Sequence, residues 1–206
     1  MYARSVMING RPEAVDECID FVRDEVQPVA TVVDGCLGLS LVVDRVSGRC
    51  IATSSWETPE SMAVAEDELA PLRQRAAEIL GGEPVVDRWE IALMHRVRPS
   101  GVGAWCRIIW CRPRDIHIHV IVERVRHPHL TGFGSVEGFC STSLFVDRLE
   151  RIMCSTSTFE SRAALDAGRE AAAEVRERAV RETGVEFLEI AEFELALAHL
   201  RVPELV

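Results

Sequence analysis

Three observations predict an α+β fold built from two successive βαββαβ halves. A twelve-residue segment occurs twice: Gly35-Cys36-Leu37-Gly38-Leu39-Ser40-Leu41-Val42-Val43-Asp44-Arg45-Val46 returns as Gly138-Phe139-Cys140-Ser141-Thr142-Ser143-Leu144-Phe145-Val146-Asp147-Arg148-Leu149. Six of the twelve positions are identical at an offset of 103. The same offset relates Thr53-Ser54-Ser55-Trp56-Glu57-Thr58 to Thr156-Ser157-Thr158-Phe159-Glu160-Ser161, and with a drift of one it relates Trp89–His95 to Phe193–His199. Strand-like and helix-like stretches follow one another in the same order in both halves. A period near 100 residues is domain-sized, well above the roughly 20–50 residues of a solenoid repeat. The expected organisation is therefore a first repeat over 1–97, a linker over 98–103 and a second repeat over 104–206.

In the first half, Arg4 to Ile8 reads as a strand and Asn9-Gly10-Arg11-Pro12 as a turn, with Pro12 suited to the first turn of a helix. Val15, Cys18, Ile19, Val22, Val26 and Val29 recur at helical spacing. Pro28 is expected to disturb the last turn of that helix, and Gly35 to stop it. Leu39–Val43 and Cys50–Trp56 are β-rich runs joined by a hairpin loop in which Gly48 can take a positive φ. Thr58-Pro59-Glu60-Ser61 carries the signals of a helix start: a hydroxyl cap, a proline and an early acid. Met62, Ala65, Leu69, Leu72, Ala76 and Ile79 continue at helical spacing, and Pro71 within them is expected to kink or break the helix. Gly81-Gly82 ends it, and a strand follows from about Val85 to His95.

The second half repeats this order. Trp105–Cys111 is a strand, and Ile118, Ile121, Val122 and Val125 mark a helix. Thr142–Val146 and Ile152–Phe159 are strands, Ser161 caps a helix closed by Gly184, and Val185–Leu197 is the last strand. Two helices on one face of a four-stranded antiparallel sheet is the ferredoxin-like arrangement. The central strands are apolar on both faces, so the two sheets are expected to pack on each other as a pseudo-dimeric α/β barrel.

Composition narrows the function classes. The 206 residues carry a net charge of −10 with no Lys/Arg run, so no nucleic-acid partner is expected. No apolar run reaches the roughly 18 residues of a membrane span. Seven scattered cysteines without a Cys-x-x-Cys pair read as free thiols in a reducing cytoplasm. The chain is expected to act as a monomeric pseudo-dimer or as a homodimer.

The strand, hairpin and strand that lead into Thr53-Ser54-Ser55-Trp56-Glu57-Thr58-Pro59-Glu60-Ser61-Met62 resemble the antibiotic-biosynthesis-monooxygenase family of the dimeric α/β-barrel superfamily. In that family a strand ends in an aromatic–acid pair, followed by a small polar cap and a helix with an early acid and a bulky apolar residue. Ser157-Thr158-Phe159-Glu160-Ser161 is the second-half version. The resemblance implies a cofactor-independent monooxygenase acting on a hydrophobic or aromatic small molecule in a sheet–helix pocket. The alternative is a non-catalytic small-molecule-binding or stress-response barrel. Family members that degrade haem hold its iron with a histidine on the second helix. Neither second helix of this chain contains one, which argues against a haem cofactor.

The pocket candidates are Trp56, Arg4, Met62, Phe159 and Arg107. An aromatic at 56 or 159 could stack on a planar substrate, and a strand arginine at 4 or 107 could hold a phenolate or carboxylate. The competing readings are core packing for the aromatics and a salt bridge or a solvent-facing position for the arginines. His95 and His199, at the ends of the last strands, are weaker candidates for proton transfer. His117, His119, His127 and His129 cluster in sequence, but rings two apart on a helix diverge, so no metal site is expected. No catalytic residue is assigned.

Overall fold

The computed structural model describes residues 1–114, 117–125, 136–200 and 203. Its strands are β1 (Tyr2–Asn9), β2 (Cys36–Asp44), β3 (Arg49–Trp56), β4 (Pro84–Arg96), β5 (Trp105–Pro113), β6 (Phe139–Asp147), β7 (Ile152–Phe159) and β8 (Val185–Leu200). Its α-helices are α1 (Val15–Phe21), α2 (Gln27–Val32), α3 (Pro59–Val64), α4 (Glu66–Leu80), α5 (Ile118–Val125), α6 (Arg162–Ala167) and α7 (Arg169–Thr183). The expected α+β class is met: the strands are hydrogen-bonded in the order β1-β3-β2-β8-β5-β7-β6-β4, closed into a barrel. β2, β3, α3 and α4 recur as β6, β7, α6 and α7, each 103 residues later. Among the described residues, no helix is long and apolar enough to cross a membrane.

The chain divides into two compact units, Met1–Glu90 with Glu194–Val202 and Ile91–Phe193 with Pro203–Val206. The breaks fall inside β4 and inside β8.

In the first unit the antiparallel order is β4-β1-β3-β2-β8. The β2–β3 hairpin turns on Asp44, whose carboxylate accepts the Val46 N–H at 2.9 Å and the Ser47 hydroxyl at 2.5 Å. Gly48 closes the turn at φ 75, where an added Cβ would stand 2.3 Å from the Gly10 carbonyl oxygen. The first helical run starts with Pro12–Ala14 as a 3₁₀ turn, continues as α1, passes through a π turn over Val22–Val26 and resumes as α2. The π turn directly precedes Pro28, which has no N–H to give the usual i−4 carbonyl, so the expected disturbance lies ahead of the proline.

Thr58 caps α3 in a capping box with Ser61, and Pro59 holds the first helical position. The break expected at Pro71 falls instead at Ala65, between α3 and α4. Gly168 occupies the same place between α6 and α7, so the break belongs to the architecture of both halves. Pro71 lies within the second turn of α4, which continues to Leu80 and ends on left-handed Gly81. The main core of this unit joins Val15, Cys18 and Val22 from the first helical run to Leu41, Val43 and Cys50 from the sheet and Ala76 and Leu80 from α4.

In the second unit β7 lies between β5 and β6. Ser161 caps α6 through the Ala164 N–H, and Gly184 ends α7 in the left-handed conformation. The core combines Ile121 and Val122 of α5 with Leu144, Val146 and Met153 of the sheet.

Candidate functional site

Each unit holds a cavity between its sheet and its helices, and equivalent positions line both. Residues directly opposite on neighbouring strands share one face of a sheet. In the first unit that face carries the rows Arg4–Ser54–Leu39, Val6–Ala52–Leu41 and Ile8–Cys50–Val43. The second unit carries Arg107–Ser157–Thr142, Ile109–Ser155–Leu144 and Cys111–Met153–Val146. Leu72, Arg73, Ala76 and Leu80 of α4 cover the first cavity, and Val175, Arg176, Ala179 and Thr183 of α7 cover the second.

The cavities differ in size and polarity. The first is about 60 Å³ and the second about 140 Å³. Leu39, Ala52, Leu72 and Leu80 of the first correspond to Thr142, Ser155, Val175 and Thr183 of the second. Smaller side chains thus replace leucine at three matched places, and a hydroxyl is added at the fourth. A volume near 150 Å³ with apolar walls accepts benzene; the second cavity approaches that size and the first is less than half of it.

Both strand arginines are buried and ion-paired. Arg4, 3% exposed, places Nη2 2.8 Å from Glu66 Oε2 and donates to the Met62 carbonyl oxygen at 2.5 Å. Arg73 of α4 contacts the other Glu66 oxygen at 2.5 Å. The hydrogen bond from Arg73, with the Arg4 charge behind it, holds the Glu66 carboxyl below the ordinary glutamate range against the cost of burial. Burial pulls the Arg4 guanidinium below its ordinary value, and Glu66 opposes the shift. Arg4 lines the first cavity, and its Nε and Nη1 have no hydrogen-bond partner among the described residues. Arg107, 4% exposed, donates from Nη2 and Nε to Glu192 Oε1 at 2.9 and 3.2 Å. The salt-bridge reading therefore describes both arginines.

The aromatic candidates are packed. Trp56 is fully buried with Ala30, Met62, Ala65 and Leu69, and its indole N–H donates to Ser54 Oγ at 3.0 Å. Phe159 is fully buried with Ala164, Leu165 and Ala172, edge-on to Phe139 at 5.7 Å between ring centroids. Trp56, Met62, Phe159, Arg107, His95 and His199 lie outside the linings of these two cavities, whereas Arg4 is on the first. His95 and His199 are half-buried near the ends of β4 and β8.

His117 and His119 do not diverge as expected: their rings stack at 5.5 Å with planes 21° apart. His117 precedes α5, so the helical side-chain direction does not bind it. His127 and His129 lie outside the described residues. Among the described residues, no group of three or more His, Cys, Asp or Glu is placed to hold a metal ion.

Sequence reasoning missed Glu66, Arg73, Glu192, Arg176 and the hydroxyls at 142, 155 and 183. The signal was available in the offset of 103 applied to the second helices, where Arg73 and Arg176 agree while Leu72 and Leu80 shorten to Val175 and Thr183.

No family model matches the chain. Solved structures share its fold. A candidate monooxygenase from Fusobacterium nucleatum superposes with a TM-score of 0.69 over 95% of this chain and 91% of its own, at 11% identity. An anthrone oxidase-like protein does so at 0.64 over 99% and 94%, at 14% identity. LmHde, a haem-degrading enzyme from Listeria monocytogenes, does so at 0.52 over 94% and 99%, at 8% identity. At such identities the likeness establishes the ferredoxin-like barrel and not an activity. In sequence, the uncharacterized proteins Rv2558 and Rv2557 of Mycobacterium tuberculosis are 49% and 45% identical over all of this chain and over 88% and 92% of their own lengths. The chain belongs to the same family as Rv2558 and Rv2557, on the fold of the antibiotic-biosynthesis-monooxygenase-like barrels.

Proposed function

We propose that this protein binds a small, mostly apolar molecule of single-ring size in the cavity of its second unit, and that the molecule is an electron-rich ring oxidised by dioxygen. The observation that carries this reading is the contrast between matched cavities, about 60 Å³ in the first unit and about 140 Å³ in the second. An enlarged cavity costs stability, so retaining one with added hydroxyls is accounted for by a ligand. Leu144, Ile121, Met153 and Phe187 supply apolar wall, while Thr142, Ser155 and Ser157 supply hydrogen-bonding groups along the strand face. The fold relatives described as a candidate monooxygenase and as an anthrone oxidase-like protein support the oxidative half of the reading.

In the reaction the ring itself supplies electrons to dioxygen. One oxygen atom enters a ring carbon as a new carbonyl, and the other leaves as water with the hydrogen of that carbon and the hydrogen of a phenol hydroxyl, so that a phenol becomes a quinone. The protein contributes orientation and a desolvated wall. The cavity size favours one ring over fused tricyclic phenols.

Thermal unfolding with benzyl alcohol, phenol or catechol tests the binding. Saturating ligand is expected to raise the midpoint, by about 2.7 kcal/mol of stability at a hundredfold excess over Kd. Val175→Leu, which restores the first-unit residue, is expected to abolish the rise. The proposal fails if no ring compound shifts the wild type, or if Val175→Leu responds equally. Oxygen uptake with catechol tests turnover; uptake at background with binding retained leaves the protein a binder.

A further inference from the structure

The charges around the two cavities are transposed between the halves. Arg4 and Arg107 match at the offset, as do Arg73 and Arg176. Their acids do not. Glu66 corresponds to Arg169, and Arg88, opposite Arg4 on β4, corresponds with the drift of one to Glu192.

In the first unit Glu66 stands between Arg4 and Arg73 at 2.8 and 2.5 Å, so Arg73 of α4 is neutralised from its own helix. In the second unit the acid is on β8. Glu192 takes Arg107 through Oε1 at 2.9 Å, and through Oε2 it takes Arg169 at 2.9 Å and Arg162 at 3.2 Å. Among the described residues Arg176 has no ion-pair partner. Burial, then the like charge of Arg107, pulls its guanidinium below the ordinary value, and the flanking Glu177 only partly opposes them. Arg124 and Glu182 also border this cavity, and Arg124 donates to the Glu182 carbonyl oxygen.

A half-buried cation without a counter-ion is costly, and an anion bringing its own charge into the cavity offsets that cost. Arg107 Nη1 also has no hydrogen-bond partner among the described residues. We infer that the second cavity takes a single-ring aromatic carboxylate, its carboxylate on Arg176 and its ring against Leu144, Ile121 and Met153. This rests on the proposed ring binding in the second cavity.

The test compares benzoate with benzyl alcohol, nearly equal in size and different in charge, by calorimetric titration of the whole chain. Benzoate is expected to bind about tenfold tighter or more, the range of a charge-assisted hydrogen bond. In Arg176→Gln the ratio is expected to fall to about one. Arg169→Glu returns the first-unit acid beside Arg176 without touching the cavity lining; it should remove the benzoate advantage and leave benzyl alcohol binding as in the wild type. Equal binding of the two probes by the wild type, or a ratio that survives in Arg176→Gln, overturns the inference while ring binding stands. If neither probe binds, the ring-binding proposal falls and this inference with it.

Discussion

Filling the second cavity with the residues of the first should stabilise the protein. The perturbation is the double variant Thr142→Leu, Val175→Leu, which transplants the residues found at 39 and 72. The two cavities differ by about 80 Å³, from 140 and 60 Å³. At about 24 cal/mol per Å³ of cavity, that is about 2 kcal/mol. Counting carbon gives a similar figure. The two substitutions add two heavy atoms and remove one hydroxyl, and each buried methylene contributes about 0.8 kcal/mol. A gain of that size raises Tm by about 4–8 °C in a chain of this length. Urea unfolding, followed by tryptophan fluorescence and by far-ultraviolet dichroism, gives the midpoint and the slope together. The expected result is a higher midpoint at unchanged slope, with ring binding lost. A lower midpoint would mean that the larger cavity is already closely packed, and the size contrast would no longer support a ligand.

Other consequences are equally direct. Trp56→Phe, the residue of the second half, loses the indole bond to Ser54 and part of a fully buried ring; it should cost about 2 kcal/mol in urea unfolding without changing ring binding. Thr58→Ala removes the α3 capping box and should cost about 1 kcal/mol in the same assay. Glu66 is held below the ordinary glutamate range in the folded protein, so its contribution is fully present above the ordinary value of 4.5 and is lost as pH falls through the depressed folded value. Glu66→Gln should therefore be less stable than wild type at neutral pH and should converge with it in acid. Burial pushes the Cys106 and Cys111 thiols up to about 12, and six of the seven free cysteines are buried. Native thiol titration at pH 8 should thus find one fast group, Cys36, and all seven only after unfolding.

Local signals made much of the fold legible in the sequence. Gly48 at its positive φ, the Thr58 and Ser161 caps, and Gly81 and Gly184 at the helix ends each act within a few residues, and each is where the sequence places it. Pro71 misled because one lost bond within the second turn of α4 is tolerated, whereas the break at Ala65 and Gly168 has no comparable breaker in both halves. The cavities were hidden for another reason. Their volumes sum small differences across three strands and a helix, and no single position announces the total. Trp56 drew attention as the largest residue of the motif, yet large aromatics are most often scaffold, and here it is packed as one. Arg176 was overlooked because its residue type does not change between the halves; only its lost partner does.

The place where β8 is divided bears on how the protein can be cut. The first unit includes Glu194–Val202, and β2 pairs with that stretch from Gly38–Leu200 to Val43–Glu194. A fragment ending at the linker would leave the outer edge of β2 without its neighbour and strip Ala196 and Leu197 from the core. Such a bare apolar edge invites pairing with other copies. A soluble first-half fragment therefore needs residues 194–202 supplied again, fused by a short connection or added as a peptide, and whether that peptide rescues it from aggregation is a direct measure of how much the last strand contributes.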